Sequence, residues 1–323
     1  MVNFLYCFDE NYNFQAFASI ISLLDKVSEK INIYVIHKNE ENINFFPKKI
    51  LNHIFLNSLV VNKFDKNISN FPNLYDAHVS EATYYRLFCK DYLPVNLETI
   101  LYIDADIICY EDPISSIKTN SELMIKNKQV ISSKTESSRS QINESVFKRL
   151  KMNSSKYFNA GVMNINFSEW TKLDVDFNSK LIEFDTLLEF WDQDLLNHIF
   201  DGNYEELDSR LNKVIDFAFF EYEKKELDTN EIIDNSFLLH FAGSHKPWSV
   251  NGIMCNLSEI YQVEFRKISR NTYHITHKIR SWSVYLFLKN IFNLKFFRIE
   301  FKLHFLRDFL KSLLRIDLVK NEN

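Results

Sequence analysis

The sequence predicts an α/β protein: a mainly parallel sheet flanked by helices, followed by a helical appendage. Three observations carry this. Short apolar, partly β-branched runs alternate with segments of helical period as far as about Trp248, the pattern of a parallel sheet covered on both faces. Several of those runs end in a polar or acidic turn. Beyond Trp248 the strand signal stops and the spacing becomes helical.

The first strand is Asn3–Phe8, ending in Asp9-Glu10-Asn11-Tyr12. A helix follows, with Phe14, Phe17, Ala18, Ile21 and Leu24 near helical spacing and Asn11 or Asn13 as its expected cap. Strand, polar turn and helix form the unit that binds nucleotides in doubly wound sheets. No G-x-G-x-x-G and no P-loop accompanies it, and the chain has only four glycines. A phosphate cradle of glycine backbone is therefore not expected, and a metal is left to hold phosphates. Strands are expected next at Ile31–His37 and Leu59–Phe64, then a helix over Glu81–Phe88. Arg86 on that helix suits bidentate bonds to a carboxylate or to sugar-phosphate oxygens; a structural salt bridge is the alternative.

The strand Thr99–Ile103 runs into Asp104-Ala105-Asp106. Carboxylates at the mouth of a buried strand are costly unless a cation meets them. Residues i and i+2 of a strand share a side, so Asp104 and Asp106 can converge on one hard divalent cation. A strand ending in an acidic turn accounts for the pair equally. Strands at Gln129–Ser133 and Asn159–Ile165 follow, the latter containing Gly161. Asp192 and Asp194, in Phe190-Trp191-Asp192-Gln193-Asp194, fall where a helix starts and can cap it; Asp192 and Gln193 can instead grip sugar hydroxyls and face an anomeric carbon. The last strand, Phe237–His240, precedes Gly243, Lys246 and Pro247. In so glycine-poor a chain, Gly161 and Gly243 read as places where backbone approaches a ligand, although two ordinary turns are the simpler account. A neutral His240 completes an Asp-Asp-His set suited to manganese, with magnesium as the second choice. Lys246 can balance phosphate charge that grows during a reaction, or be one more solvated lysine.

In order along the chain stand Phe8-Asp9-Glu10-Asn11-Tyr12, Thr83-Tyr84-Tyr85-Arg86-Leu87, Tyr102-Ile103-Asp104-Ala105-Asp106, Phe158-Asn159-Ala160-Gly161-Val162, Asp192-Gln193-Asp194-Leu195-Leu196-Asn197 and His240-Phe241-Ala242-Gly243-Ser244-His245-Lys246-Pro247-Trp248. Together they resemble glycosyltransferase family 8, over roughly the first three quarters of the chain, and most of all its bacterial lipopolysaccharide and lipooligosaccharide galactosyl- and glucosyltransferases. The resemblance implies a GT-A fold (Rossmann-like, nucleotide-binding), UDP-galactose or UDP-glucose as donor, manganese, and retention of anomeric configuration. It implies Asp104, Asp106 and His240 as metal ligands; Asp9, Asn11 and Tyr12 against uridine; Arg86, Asn159, Asp192 and Gln193 at the donor sugar; and Gly243 and Lys246 at the diphosphate. Ala105 and Ala160 lie within the matching motifs, and Gln193, Asp192 and Lys246 are the residues expected to act in the reaction. Two departures stand out. Val130-Ile131-Ser132-Ser133-Lys134 lacks the acidic residue usual at that strand end, and Ser244-His245 replaces the small residue and Pro or Thr usual before the lysine.

At 323 residues the chain can bury one large core plus an appendage. The four cysteines show no C-x-x-C spacing and read as free thiols in a reducing compartment. No basic region precedes the amino-terminal apolar stretch, so no secretory signal is expected. Charge is unevenly placed. Arg266 to Lys320 holds 13 Lys and Arg against 3 Asp and Glu, a charge of +10, whereas the whole chain carries −5. Leu303, Leu306, Leu310 and Leu313 trace one expected helical face, and Arg307, Lys311 and Arg315 another. We therefore expect residues 1–250 to form a single catalytic domain and 251–323 a basic, aromatic-rich helical region attached to an anionic membrane surface. A helical appendage packed on the core with a solvated basic rim is the alternative. No run is long enough to span a bilayer, and no recognition motif accompanies the charge to suggest nucleic acid.

The expected function is a retaining, metal-dependent transfer of galactose or glucose to an oligosaccharide or lipid-linked glycan, at the inner face of the cytoplasmic membrane. Two other classes compete. A metal-dependent nucleotidyltransferase also uses paired carboxylates but usually brings a glycine-rich triphosphate loop. A non-catalytic glycan-binding protein on the same fold would not need Asp104, Asp106, His240 and Lys246 together.

Overall fold

A computed structural model describes all residues except 69–70, 75–78, 137–142, 220–228, 270–271 and 315–323. Its main sheet has seven strands in the order β3-β2-β1-β4-β7-β6-β8. These are β1 (Asn3–Phe8), β2 (Ile31–His37), β3 (Leu56–Lys63), β4 (Thr99–Ile103), β6 (Ile131–Thr135), β7 (Phe158–Asn166) and β8 (Glu205–Glu206). Neighbours pair in parallel except along β7, which runs antiparallel to both β4 and β6. A second sheet orders β5 (Ile107–Cys109), β10 (Leu238–Phe241) and β9 (Lys213–Ile215).

Strand periodicity sets the two cores. Leu5 and Cys7 of β1 enter one cluster with Tyr102 of β4, Met163 of β7 and the aromatics Tyr84, Tyr85, Phe88 and Trp170. Phe4, Tyr6 and Phe8 face the opposite side, packing with Phe17, Ile20, Ile21 and Leu24 of helix α1 (Asn13–Lys26). With apolar layers on both faces, β7 is buried along its whole length.

Several expectations change. Neither Asn11 nor Asn13 caps α1 through its side chain. The chain enters through a 3-10 turn, Glu10–Tyr12, and Asp9 caps that turn by accepting the Asn11 N–H at 3.0 Å. The Glu81 segment is a 3-10 helix running Glu81–Asp91. That winding eclipses residues three apart and sets Thr83 over Arg86. The strand expected at Phe237–His240 lies in the second sheet, because β7 already occupies the place beside β4.

This second sheet positions the site. The Asp104-Ala105-Asp106 turn links β4 to β5 and is held from both sheets. The Asp104 N–H donates to the Gly161 carbonyl of β7 at 2.9 Å, and the Asp106 carbonyl accepts the Phe241 N–H of β10 at 3.1 Å. Ile107 then pairs with His240.

Beyond Trp248, α9 (Ser258–Ile268) packs on α1, burying Tyr261 and Phe265. Helices α10 (Arg280–Phe292) and α11 (Lys302–Leu313) form a separate cluster with Val250, Ile253, Met254 and Tyr273. The buried face of α11 is Phe305, Asp308 and Phe309, with Leu306 and Leu313 partly buried beside them; the leucine row splits, and Leu303 and Leu310 are exposed. Asp308 decides this orientation by accepting the Tyr273 N–H at 2.8 Å and Arg307 Nε at 2.7 Å. Arg315 lies outside the described residues. Among the described residues, no helix is long and apolar enough to cross a membrane, and the four cysteines are free thiols.

Candidate active site

A cavity of about 460 Å³ opens at the carboxyl end of β4, lined among others by Arg86, Asp104, Asp106, Asp192, His240 and Lys246. A smaller one of about 70 Å³ adjoins it and reaches Tyr12 and Phe8 at the end of β1. Both share the acidic turn and Lys246.

Asp104, Asp106 and His240 each offer one ligand atom, and all three atoms lie within 4.8 Å of one another. Asp106 Oδ1 is buried without a hydrogen-bond partner, 3.5 Å from His240 Nε2. Two carboxylates and an imidazole around a buried, unsatisfied oxygen fit a hard or borderline divalent cation. The carboxyls titrate in opposite directions. Burial pushes Asp104 up to about 7, aided by the charge of Asp106 and opposed by Arg86 and the Tyr102 hydroxyl. Burial also raises Asp106, but the charge and hydrogen bond of Lys246 oppose it, and Asp106 stays below the ordinary carboxylate value. Lys246 Nζ lies 2.5 Å from Asp106 Oδ2 and donates to the Phe241 carbonyl at 2.8 Å.

Across the cavity, Asp192 enters on the first turn of α7 (Trp191–Phe200). Oδ1 accepts Thr83 Oγ1 at 2.7 Å and Arg86 at 3.1 Å, and Oδ2 is bound by Arg86 Nε. Arg86, 3% exposed, also donates to the Ala160 carbonyl at 2.5 Å, reaches Asp104 at 3.4 Å and stacks on Tyr102. It is thus both a buried ion-pair partner and a cavity residue. Gln193 lies beside Asp192; its Oε1 accepts the Ala160 N–H at 3.0 Å and its Nε2 donates to the Tyr157 hydroxyl at 3.2 Å. Asp194 is fully buried, capping α7 through the Glu189 and Phe190 amides and binding Arg149 and Tyr157.

Both glycines permit a close approach. A Cβ on Gly161 would come within 2.3 Å of His240 Cε1, so the intimate neighbour of Gly161 is the imidazole. Gly243 has φ +74°, and a Cβ there would meet the Asp216 carboxylate at 2.6 Å. In the amino-terminal turn, Tyr12 lines the smaller cavity, Asp9 is buried as the turn's cap and Asn11 is exposed. Ala105 lines the same cavity.

Sequence reasoning missed Thr83, Tyr102, Glu136, Asn212 and Asp216. Thr83 and Tyr102 stood inside the quoted motifs, three residues before Arg86 and two before Asp104. Glu136 directly follows β6, buried, with Oε1 accepting from Asn159 at 2.9 Å. It lies just beyond the strand end where no acidic residue was found. Asn212 and Asp216 flank β9, a strand too short to leave a periodic signal.

Residues 3–252 match the model of the family described as Glycosyl transferase family 8. The chain is 29% identical over 263 residues to a lipopolysaccharide 1,2-glucosyltransferase of Escherichia coli, covering 74% of this chain and 71% of that protein. It is 26% identical over 268 residues to a lipopolysaccharide 1,3-galactosyltransferase of Salmonella typhimurium strain LT2, covering 76% and 72%. Among solved structures, the galactosyltransferase LgtC in complex with donor and acceptor sugar analogs aligns with a TM-score of 0.66 at 18% identity, covering 83% of this chain and 96% of that one. At that identity the likeness is one of fold, the GT-A fold.

Proposed function

The chain belongs to glycosyl transferase family 8, and from that premise we propose that it is a retaining, metal-dependent hexosyltransferase. It moves galactose or glucose from UDP-galactose or UDP-glucose to a glycan acceptor, the core of lipopolysaccharide or lipooligosaccharide. The observation that carries this reading is the convergence of Asp104, Asp106 and His240 beside Lys246, with Asp192 and Gln193 across one cavity.

Asp104, Asp106 and His240 would hold the cation, manganese or else magnesium. When bound, it supplies positive charge against the diphosphate as the glycosidic bond breaks. Lys246 adds a second charge to the departing UDP. Tyr12 stacks on the uracil, with Asp9 and Asn11 shaping the turn around it. Gly243 lets backbone approach the diphosphate. Arg86, Asn159, Asp192 and Gln193 face the donor sugar. The acceptor hydroxyl attacks from the face that UDP vacates, and its proton passes to the leaving phosphate. The closed hydrogen bonding of Asp192 supports this single displacement over a two-step route. A carboxylate whose oxygens are both bound by Arg86 and Thr83 is a poor nucleophile.

The protein works at the inner face of the cytoplasmic membrane, residues 1–250 as the catalytic domain and 251–323 as the attachment to anionic lipid. The lipopolysaccharide transferases among its relatives and the apolar, basic surface of α10 and α11 support this placement.

A panel of UDP-sugars with Mn²⁺, scored for release of UDP with and without glycan acceptor, is the test. One hexose donor should turn over. Asp104→Ala, Asp106→Ala and His240→Ala should each lose at least ~100-fold while remaining folded. Release of pyrophosphate from nucleotide substrates, or no turnover of any UDP-sugar, overturns the reading.

A further inference from the structure

We propose that Asn212 is a positioning residue for His240, at the head of a hydrogen-bond relay through Asn159 to Glu136 that fixes the imidazole as its Nδ1–H tautomer and turns the Nε2 lone pair toward Asp106. The proposal rests on the metal site described above for its purpose, but not for its geometry.

Two groups that cannot exchange roles set the direction of the relay. The Gly161 N–H can only donate, and it meets Asn159 Oδ1 at 2.9 Å. The Asn159 amide is therefore oriented, and its Nδ2 faces Glu136 Oε1 at 2.9 Å, a carboxylate oxygen suited to accept. Asn159 Oδ1 also faces Asn212 at 2.9 Å, so the Asn212 atom there is the Nδ2 donor. The other Asn212 amide atom, Oδ1, faces His240 Nδ1 at 3.0 Å. An amide oxygen is only an acceptor, so His240 Nδ1 carries the proton. Turning Asn212 over would set two oxygens against each other at 2.9 Å. Turning Asn159 over would set an NH₂ against the Gly161 N–H and an oxygen against Glu136.

Burial makes the assignment binding. Asn159, Asn212, His240 and Glu136 are each at most 6% exposed, and Asn212, which sets the direction at His240, is fully buried; an unmet buried polar group there costs about 1–3 kcal/mol. With Nδ1 protonated, neutral His240 presents a lone pair at Nε2, 3.5 Å from the partnerless Asp106 Oδ1. Two acceptors facing each other at that distance call for a cation between them. The relay also crosses the fold. Glu136 follows β6, Asn159 and Gly161 belong to β7, Asn212 ends the 3-10 turn Ser209–Asn212, and His240 belongs to β10. Docking of the main sheet against the second sheet thus selects the tautomer. Asn159 lines the cavity while both its amide atoms are engaged in this relay.

The test is tautomer-sensitive ¹H–¹⁵N NMR on full-length, metal-free, ¹⁵N-histidine-labelled protein, with His240 assigned by the signal missing in His240→Gln. The wild type should show the Nδ1–H form. Asn212→Leu should lose it and bind Mn²⁺, followed without nucleotide by electron paramagnetic resonance, about 10- to 100-fold more weakly. An Nε2–H tautomer in the wild type overturns the proposal whether or not Asn212→Leu folds. So does unchanged Mn²⁺ affinity in a folded Asn212→Leu. An Nδ1–H wild type that binds no Mn²⁺ upholds the relay and instead refutes the metal reading of the proposed function.

Discussion

Asp104 and Asp106 are two residues apart and sit in opposite electrostatic states. Asp104, raised from 3.8 to about 7, retains a proton in the folded chain that the unfolded chain has released. Its contribution to metal-free stability is present at low pH and declines as pH rises toward 7. Asp106, held low by Lys246, works the other way and loses its contribution as pH falls. A divalent cation must displace the Asp104 proton. Mn²⁺ affinity without nucleotide should therefore rise between about pH 6 and about pH 7, then level off. A flat profile over that range would show that Asp104 is not a ligand. Lys246 leads to a kinetic prediction. Diphosphate charge grows as the sugar leaves, so Lys246→Ala should lower turnover more than it weakens donor binding. A change confined to apparent donor affinity would reduce Lys246 to a binding residue.

Among the elements, β7 and the 3-10 helix Glu81–Asp91 carry the site's rigidity. Gly161 lets β7 lie against the imidazole, and a Cβ there would stand 2.3 Å from His240 Cε1 and 2.8 Å from Nδ1. The contact is with a ring buried against backbone, so Gly161→Ala should displace His240 and cost Mn²⁺ affinity as well as activity. If the variant binds Mn²⁺ like the wild type, the close packing of β7 on His240 is not what sets the ligand. The 3-10 winding has a parallel role: by stacking Thr83 on Arg86 it brings both to Asp192. Removing one side of a buried ion pair typically costs about 3–5 kcal/mol. Arg86→Ala should therefore lower the melting temperature as well as activity, whereas Thr83→Val should spare stability far more. Equal losses in the two variants would contradict the ion-pair account.

For the molecule as a whole, the asymmetry of surface is the telling feature. Of twenty-one exposed large apolar side chains among the described residues, twelve fall between Ile279 and Leu314, including Trp282, Phe292 and Leu303. Cations are interleaved with them, among them Arg280, Lys289 and Lys311. Each cation near an anionic surface contributes on the order of 1 kcal/mol, weakened by salt. Arg307 is a poor probe of this attraction because it binds the buried Asp308. Reversing Arg280, Lys289 and Lys311 to glutamate should release the protein from anionic vesicles in co-sedimentation while sparing turnover of a soluble acceptor. Retention of the folded triple variant on those vesicles would refute the membrane reading.

The sequence alone determined what is local. The order of strands and helices, the acidic turn after β4, the histidine near the last strand's end and the basic carboxyl-terminal segment are legible because period, turn chemistry and charge lie within a few consecutive residues. The motif order also carried the family. Only the tertiary structure decided what depends on distant partners. Strand β10 left the main sheet because β7 took the place beside β4. α11 turned its phenylalanines inward and split its leucine row, with Leu306 and Leu313 packed and Leu303 and Leu310 exposed, as Asp308 met the Tyr273 amide. Gly161 proved to accommodate an imidazole from a segment some eighty residues away. Glu136 and Asn212 carry no motif, and their roles exist only where the docking of two sheets encloses them with Asn159 and His240. Spacing along a chain reports which side chains share a face; it does not report which face of another element will meet them.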